Sequence, residues 1–411
     1  MALSVFVGSL TAPASTGNQA YTGVGFTPVV VLFFSSGQSS DATAAHAELN
    51  MGVGISASER RSVWDGEEDG VGTTDVNTNR STTRCVGVLT PATGVVVLAA
   101  DLVSLDADGF TLNWVTTSSG IIVNYLALGG ADLTNVKLGD VSIPTTTGSS
   151  SVTGVGFQPD CVLLFASRND TGGNAKFALG GATSSSSRAC IAVADRDSQS
   201  ASRGSKRQLT NRCFTQVNGF ISAPGAIINE ADFVSFNADG FTLNWVTVDT
   251  TVSSAYYLAL KGGNYKVGNF TQKTSTGTQA ITTDFTPTGL LLWSFANTAT
   301  SDETADWNLS LGFASSPTAR AILWSGVNHG SDPIQADKRM DRTKIMHMMT
   351  PGATPSTEAT ADLDSFNSTD FTLNWSVADA TAREICYVVV GSAGAPTPTA
   401  RIELPILGVG A

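Results

Sequence analysis

Three histidines, His46, His329 and His347, are the side chains whose ordinary titration suits proton transfer near neutral pH. The chain is internally repeated, as set out below, and a repeated enzyme would carry its base at matching positions. His46 falls in the first copy, His329 and His347 in the third, and the second copy has none. A Ser-His-Asp or Cys-His site in every copy is therefore excluded, which leaves a single site in one copy as the remaining catalytic option. Asp101, Asp232 and Asp362 do recur, each opening a strand that leads into a hairpin. Helped by Asp106 and Asp108 they would be calcium ligands, because hard cations gather oxygens; the full calcium-loop pattern is missing, so the reading preferred here is a turn cap or edge charge. No carboxylate pair for glycoside hydrolysis recurs across the copies.

The other chemistry-bearing residues point the same way. Cys85, Cys161, Cys190, Cys213 and Cys386 are odd in number and contain no C-x-x-C pair, so buried, reduced thiols are expected rather than a zinc or redox site. Gly23-Val24-Gly25 precedes a strand, not a helix, and no Gly-rich loop ends in Lys-Ser or Lys-Thr, so a nucleotide site is not expected. Of seven tryptophans, Trp114, Trp245 and Trp375 fall on the inward face of a repeated strand and read as core. Trp64, Trp307 and Trp324 are less constrained and are the candidates for exposed sugar-stacking positions. No catalytic residue, cofactor or metal is expected.

Composition sets the frame for these residues. Charged residues are 14% of the 411, against a usual share near 25%, while Gly, Ser and Thr are abundant, a profile of short strands and many turns. A net charge of −12 disfavours nucleic acid, whose affinity comes from Lys and Arg neutralising phosphates. The N-terminus has neither a basic region nor a cleavage site, so no secretory signal is expected. The densest apolar run, Val29 to Phe34, is far shorter than the roughly 20 residues that span a bilayer, so no membrane segment is expected.

The elements that position everything else come in three copies. Asp108-Gly109-Phe110-Thr111-Leu112-Asn113-Trp114 returns as Asp239 to Trp245 and again as Asp370 to Trp375, without the glycine. Phe110 and Phe241 are 131 residues apart, Phe241 and Phe371 130 apart. Gly25-Phe26-Thr27-Pro28, Gly156-Phe157-Gln158-Pro159 and Asp284-Phe285-Thr286-Pro287 each precede an apolar strand. A period this long exceeds any solenoid unit, so each copy reads as a complete domain, and three separate beads are expected. In Phe-Thr-Leu-Asn-Trp the apolar residues alternate, which marks a half-buried strand, and Asp108-Gly109 marks a tight hairpin turn before it. The third copy, with Thr369-Asp370, calls for a different turn. Val29 to Phe34 and Leu163 to Phe165 run apolar without alternation and read as fully buried central strands. About eight strands per copy, with no convincing amphipathic helix, predict an all-β chain of three tandem homologous β-sandwich, jelly-roll-like domains at 1–131, 132–264 and 265–395.

Residues 396–411 form a tail with prolines at 396, 398 and 405, so it should be extended. Ile402, Leu404, Ile406 and Leu407 give it apolar anchors that would dock either by adding a strand to another subunit or by closing over the third copy.

The Gly-Phe-x-Pro segment, the Asp-Gly-Phe-Thr-Leu-Asn-Trp hairpin and the Asn124-to-Gly130 ending together resemble repeat modules in virion proteins of tailed bacteriophages. The resemblance covers all three copies, with the third departing at the turn and the ending. It implies a non-enzymatic accessory component, made in the host cytoplasm and assembled onto the virion as a head decoration or a neck or tail attachment. Its partners would be other virion proteins, such as the major capsid or neck and tail proteins, and copies of itself. Two other readings stand beside it: a tail adhesin binding a host receptor or glycan, which needs exposed aromatics, and a polysaccharide hydrolase, which needs a carboxylate pair.

Overall fold

The computed structural model describes residues 3–167, 176–219, 227–298 and 301–392. These residues form strands and turns with no helix, so none is long and apolar enough to cross a membrane. The strands build six antiparallel sheets, a large and a small one from each sequence repeat. In the first repeat the large sheet runs Ser4–Thr11, Ile122–Gly129, Pro28–Ser35, Ala47–Gly54, Arg60–Glu67, Val76–Ser81, and the small one runs Gly17–Thr22, Gly109–Thr116, Val96–Asp106, Val86–Leu89. The second repeat orders its large sheet Asn135–Ile143, Ser253–Lys261, Cys161–Ser167, Lys176–Ser184, Ser187–Ala194, Ser205–Leu209. The third follows with Asn264–Thr271, Glu384–Gly391, Pro287–Ser294, Trp307–Ala314, Arg320–Val327, Ala336–Asp341. The described strands number 11, 10 and 11 in the three repeats, more than the eight expected, because polar strands such as Gly17–Thr22, Thr43–Ala45 and Val76–Ser81 lack the apolar alternation that marks a strand.

Each small sheet covers one face of its large sheet. Phe110, Leu112 and Trp114 enter one such core, Phe241, Leu243 and Trp245 a second, and Phe371, Leu373 and Trp375 a third. Each tryptophan donates its indole N–H to the neighbouring strand, to Tyr21, Ser150 and Gln279 at 2.9, 3.0 and 2.9 Å, which satisfies the one polar atom the ring brings inside. The hairpin differs from its sequence reading. Asp106 pairs with Gly109, so the turn residues are Ala107 and Asp108, and Gly109 already belongs to the strand. Glycine is required there because a methyl group would lie 1.9 Å from the Tyr21 carbonyl oxygen. In the third repeat the turn spans Asn367 to Asp370, closed by the Asn367 N–H on the Asp370 carbonyl at 2.8 Å.

The expectation of three separate beads is corrected. The largest core draws on all three repeats, because the outer face of each large sheet turns toward a common centre. In Pro28–Ser35, Val31 and Phe33 face the local core while Val30, Leu32 and Phe34 face the centre. Val162 and Leu164 oppose Cys161, Leu163 and Phe165 in the same way, and Leu290 and Leu292 oppose Leu291 and Trp293. The unbroken apolar runs thus have two buried faces, one belonging to the repeat and one to the whole molecule. Phe34 of the first repeat stacks on Phe313 of the third with centroids 4.6 Å apart.

Strands also cross between repeats. Thr43–Ala45 of the first extends the large sheet of the third beyond Ala336–Asp341, and Ser301–Ala305 of the third extends that of the second beyond Ser205–Leu209. The first and third repeats therefore meet as intimately as neighbours in sequence, and the chain closes on itself.

Candidate functional site

The feature that organises the surface is the closure of this ring. Loops 68–75, 195–204 and 328–335 meet at one end of it. The N–H of Gly70 donates to the Ile334 carbonyl, that of Ser198 to Thr74, and that of Gly330 to Ser202, at 2.8, 2.9 and 3.0 Å. Positions 70, 198 and 330 are matched in the repeats, as are 74, 202 and 334. A second matched set returns the contact: Ile334 to Val71, Thr74 to Gln199 and Ser202 to Ser331, at 2.9, 2.8 and 3.3 Å. Six backbone bonds thus relate the loops by an approximate threefold operation, with the same backbone pairing at each junction.

Side chains repeat the pattern around the ring. Arg80, Gln208 and Met340 occupy matched positions, and each reaches the next repeat: Arg80 donates to the Ser254 carbonyl at 2.8 Å, Gln208 to Glu384 at 3.1 Å, and Met340 sulfur accepts from Asn124 at 3.3 Å. Arg61 pairs with Asp140 at 2.6 Å, and Lys137 with Glu59, across the first junction. Lys338 and Glu48 form a nearly buried pair between the third and first repeats. Burial pushes the Glu48 carboxyl up to about 6, with Lys338 opposing the shift.

Asp101, Asp232 and Asp362 are neither turn caps nor edge charges; that reading is corrected. Each sits on an inner strand of a small sheet and receives two cations. Asp101 meets Arg84 at 2.7 Å and Arg60 at 3.9 Å, Asp232 meets Arg212 at 3.0 Å and Arg188 at 3.3 Å, and Asp362 meets Lys344 and Arg320, both at 3.0 Å. Arg60, Arg188 and Arg320 begin matched strands of the large sheets, so each triad ties the two sheets of one repeat together. These carboxylates have cations where a calcium ion would need open oxygens, and no cluster able to hold a metal occurs among the described residues. Asp101→Ala leaves Arg60 and Arg84 with their carboxylate removed; because both remain partly hydrated, a loss of about 1–2 kcal/mol is expected in urea unfolding.

Asp108 and Asp239 have a different task. Asp108 accepts the N–H groups of Gly23 and Gly25 at 3.1 and 2.5 Å, and Asp239 those of Gly154 and Gly156 at 2.9 and 2.6 Å. The Gly-Val-Gly segments are therefore small anion nests already filled by the protein's own hairpins.

The remaining candidates are accounted for by packing. Trp64, Trp307 and Trp324, read from sequence as open to exposure, are 3%, 0% and 0% exposed; that reading is corrected, and all seven tryptophans are buried. Their segments lie in strands covered on both faces, which sequence periodicity does not distinguish from loops flanking a strand. All five cysteines are buried and unpaired. Burial pushes the Cys85 thiol up to about 12, so it is not a nucleophile. His46 accepts the Asp69 N–H at 3.0 Å through Nδ1. His347 alone resembles a base between a hydroxyl and a carboxylate, with Thr357 at 2.9 Å and Asp341 at 3.7 Å. Yet its ring is 4% exposed, and Asp341 is held by Arg339 and Thr343. Ile402, Leu404, Ile406 and Leu407 lie outside the described residues.

Sequence reasoning found the recurring aspartates and tryptophans but missed their partners. Arg60, Arg188 and Arg320 recur at matched spacing, and so do Gly52, Gly180 and Gly312, where a methyl group would meet a backbone carbonyl oxygen of the small sheet at 1.9, 2.1 and 1.6 Å. Both sets were available as signals in an alignment of the repeats.

No family model and no curated protein matches the chain. Among solved structures, the anion-selective porin from Comamonas acidovorans aligns over 91% of this chain and 98% of its own, at 11% identity and a TM-score of 0.09. At that score the alignment carries no argument about fold or activity.

Proposed function

We propose that the chain is a non-enzymatic structural component of a tailed-bacteriophage virion, built of three tandem homologous β-sandwich domains that close into a ring. It would sit on the particle as an accessory, on the head or at the neck or tail, and hold its partner virion proteins through several weak contacts at once. The observation that supports this most is the set of six matched loop hydrogen bonds, which makes one chain present three equivalent faces about one axis. Three such faces suit a threefold or local-threefold position, where each added contact is intramolecular and multiplies affinity. The burial of every tryptophan speaks against the adhesin reading, and the lack of a carboxylate pair that recurs across the copies speaks against the hydrolase reading.

Particles purified from cells carrying the encoding genome should contain the chain in fixed stoichiometry, with electron microscopy placing it at threefold positions. Its absence from purified particles overturns the proposal. Selective binding on a glycan array would favour the adhesin instead.

A further inference from the structure

The ring seam contains a pair of acids that no ion pair explains. Glu67 ends strand Arg60–Glu67 in the first repeat, and Asp195 follows strand Ser187–Ala194 in the second. They are matched positions, and the third is Val327. All three side chains are fully buried. Asp195 Oδ1 accepts the N–H groups of Arg196 and Arg203 at 2.5 and 2.8 Å. No N–H or O–H donor reaches its Oδ2 or either oxygen of Glu67, and each of the two buried carboxyl groups lies within reach of the other, close enough to shift its protonation. Two carboxylates offer only acceptors, so the contact requires a proton between them.

We propose that Glu67 and Asp195 share one proton and act as a pH-operated clasp on the seam between the first and second repeats. The inference is independent of what the ring binds. With the proton in place, a carboxylic acid donates to a carboxylate and the loops 68–75 and 195–204 stay locked. When that proton passes to water, two buried like charges remain with no donor between them, and the seam must open to hydrate them. The surrounding charges bias the equilibrium without replacing the proton. Asp197, on the same loop as Asp195, repels Glu67, and Arg203 attracts Asp195. Asp75 lies on the facing loop within the field of Asp197, and His329, on the third loop, feels Asp306 and Arg203. On the Glu67 strand itself Asp65 is also buried, with the Ser167 hydroxyl at 3.4 Å. Burial holds both clasp carboxyls above the usual carboxylate range. For acids raised by folding, the stabilisation is complete below the unfolded values and is lost as pH climbs through the folded ones.

Amide hydrogen exchange on the full chain, corrected for intrinsic rates, tests this. Protection across 68–75 and 195–204 should fall at least tenfold, roughly, between about pH 5 and about pH 8.5. Glu67→Gln keeps a donor toward Asp195 that does not ionise, so its protection should stay level across that range. If that variant does not fold, Asp195→Asn serves, and infrared spectra of the unaltered chain should show a protonated carboxyl that disappears as pH rises. Protection that does not change with pH in the unaltered chain, a Glu67→Gln profile that tracks it, or the lack of a protonated carboxyl band near neutral pH would each overturn the clasp.

Discussion

Trp293→Ala is expected to lower the unfolding free energy by about 3–5 kcal/mol, and to do so in one transition that all three repeats share. Trp293 is completely buried and faces the common centre, at the position matched by Phe34 and Phe165. Removing the indole leaves a cavity at the place where the three large sheets converge, so neighbours from all repeats lose contacts together. Were the repeats separate beads, the third would melt early and leave the other two folded. Calorimetry with tryptophan fluorescence distinguishes the outcomes: one shifted peak supports the shared core, and two resolved peaks refute it.

The second large effect concerns closure. Lys338→Met removes the cation from a pair whose side chains are 9% and 4% exposed, joining repeats that are remote in sequence. Glu48 is left buried without its partner, and a loss of about 3–5 kcal/mol is expected above neutral pH. The sign with pH follows from burial, which already holds Glu48 up to about 6 against the pull of Lys338. Without the lysine the carboxyl rises further and takes up a proton at acid pH, so the penalty should shrink toward about pH 5 and grow as pH rises. Glu48→Gln with Lys338→Met should recover most of the stability, because neither charge then needs hydration. A penalty independent of pH, or a double variant as weak as the single, would contradict this account.

Much of the local structure was legible because it follows from short-range periodicity. Alternation in Phe110, Leu112 and Trp114 identifies a strand with one inward face. The misreadings have one source. The recurring Asp101, Asp232 and Asp362 look like turn residues until Arg60, Arg188 and Arg320 are brought beside them from strands about 40 residues earlier. Trp307 looks unconstrained until it joins the core shared by all three repeats, and Trp324 until Ile322 and Met349 of its own repeat close over it.

By itself, the sequence determined that this protein is all-β, that it repeats three times, and which side chains form the inward stripe of each repeated hairpin. Those properties depend on neighbours a few residues apart and on recurrence along the chain. Only the tertiary structure decided that the second face of Val30, Leu32 and Phe34 is buried against other repeats, that the first and third repeats join, and that Glu67 meets Asp195. The reason is physical: an apolar strand gains the same transfer free energy whichever surface covers it, so its composition records that it is buried and not by what.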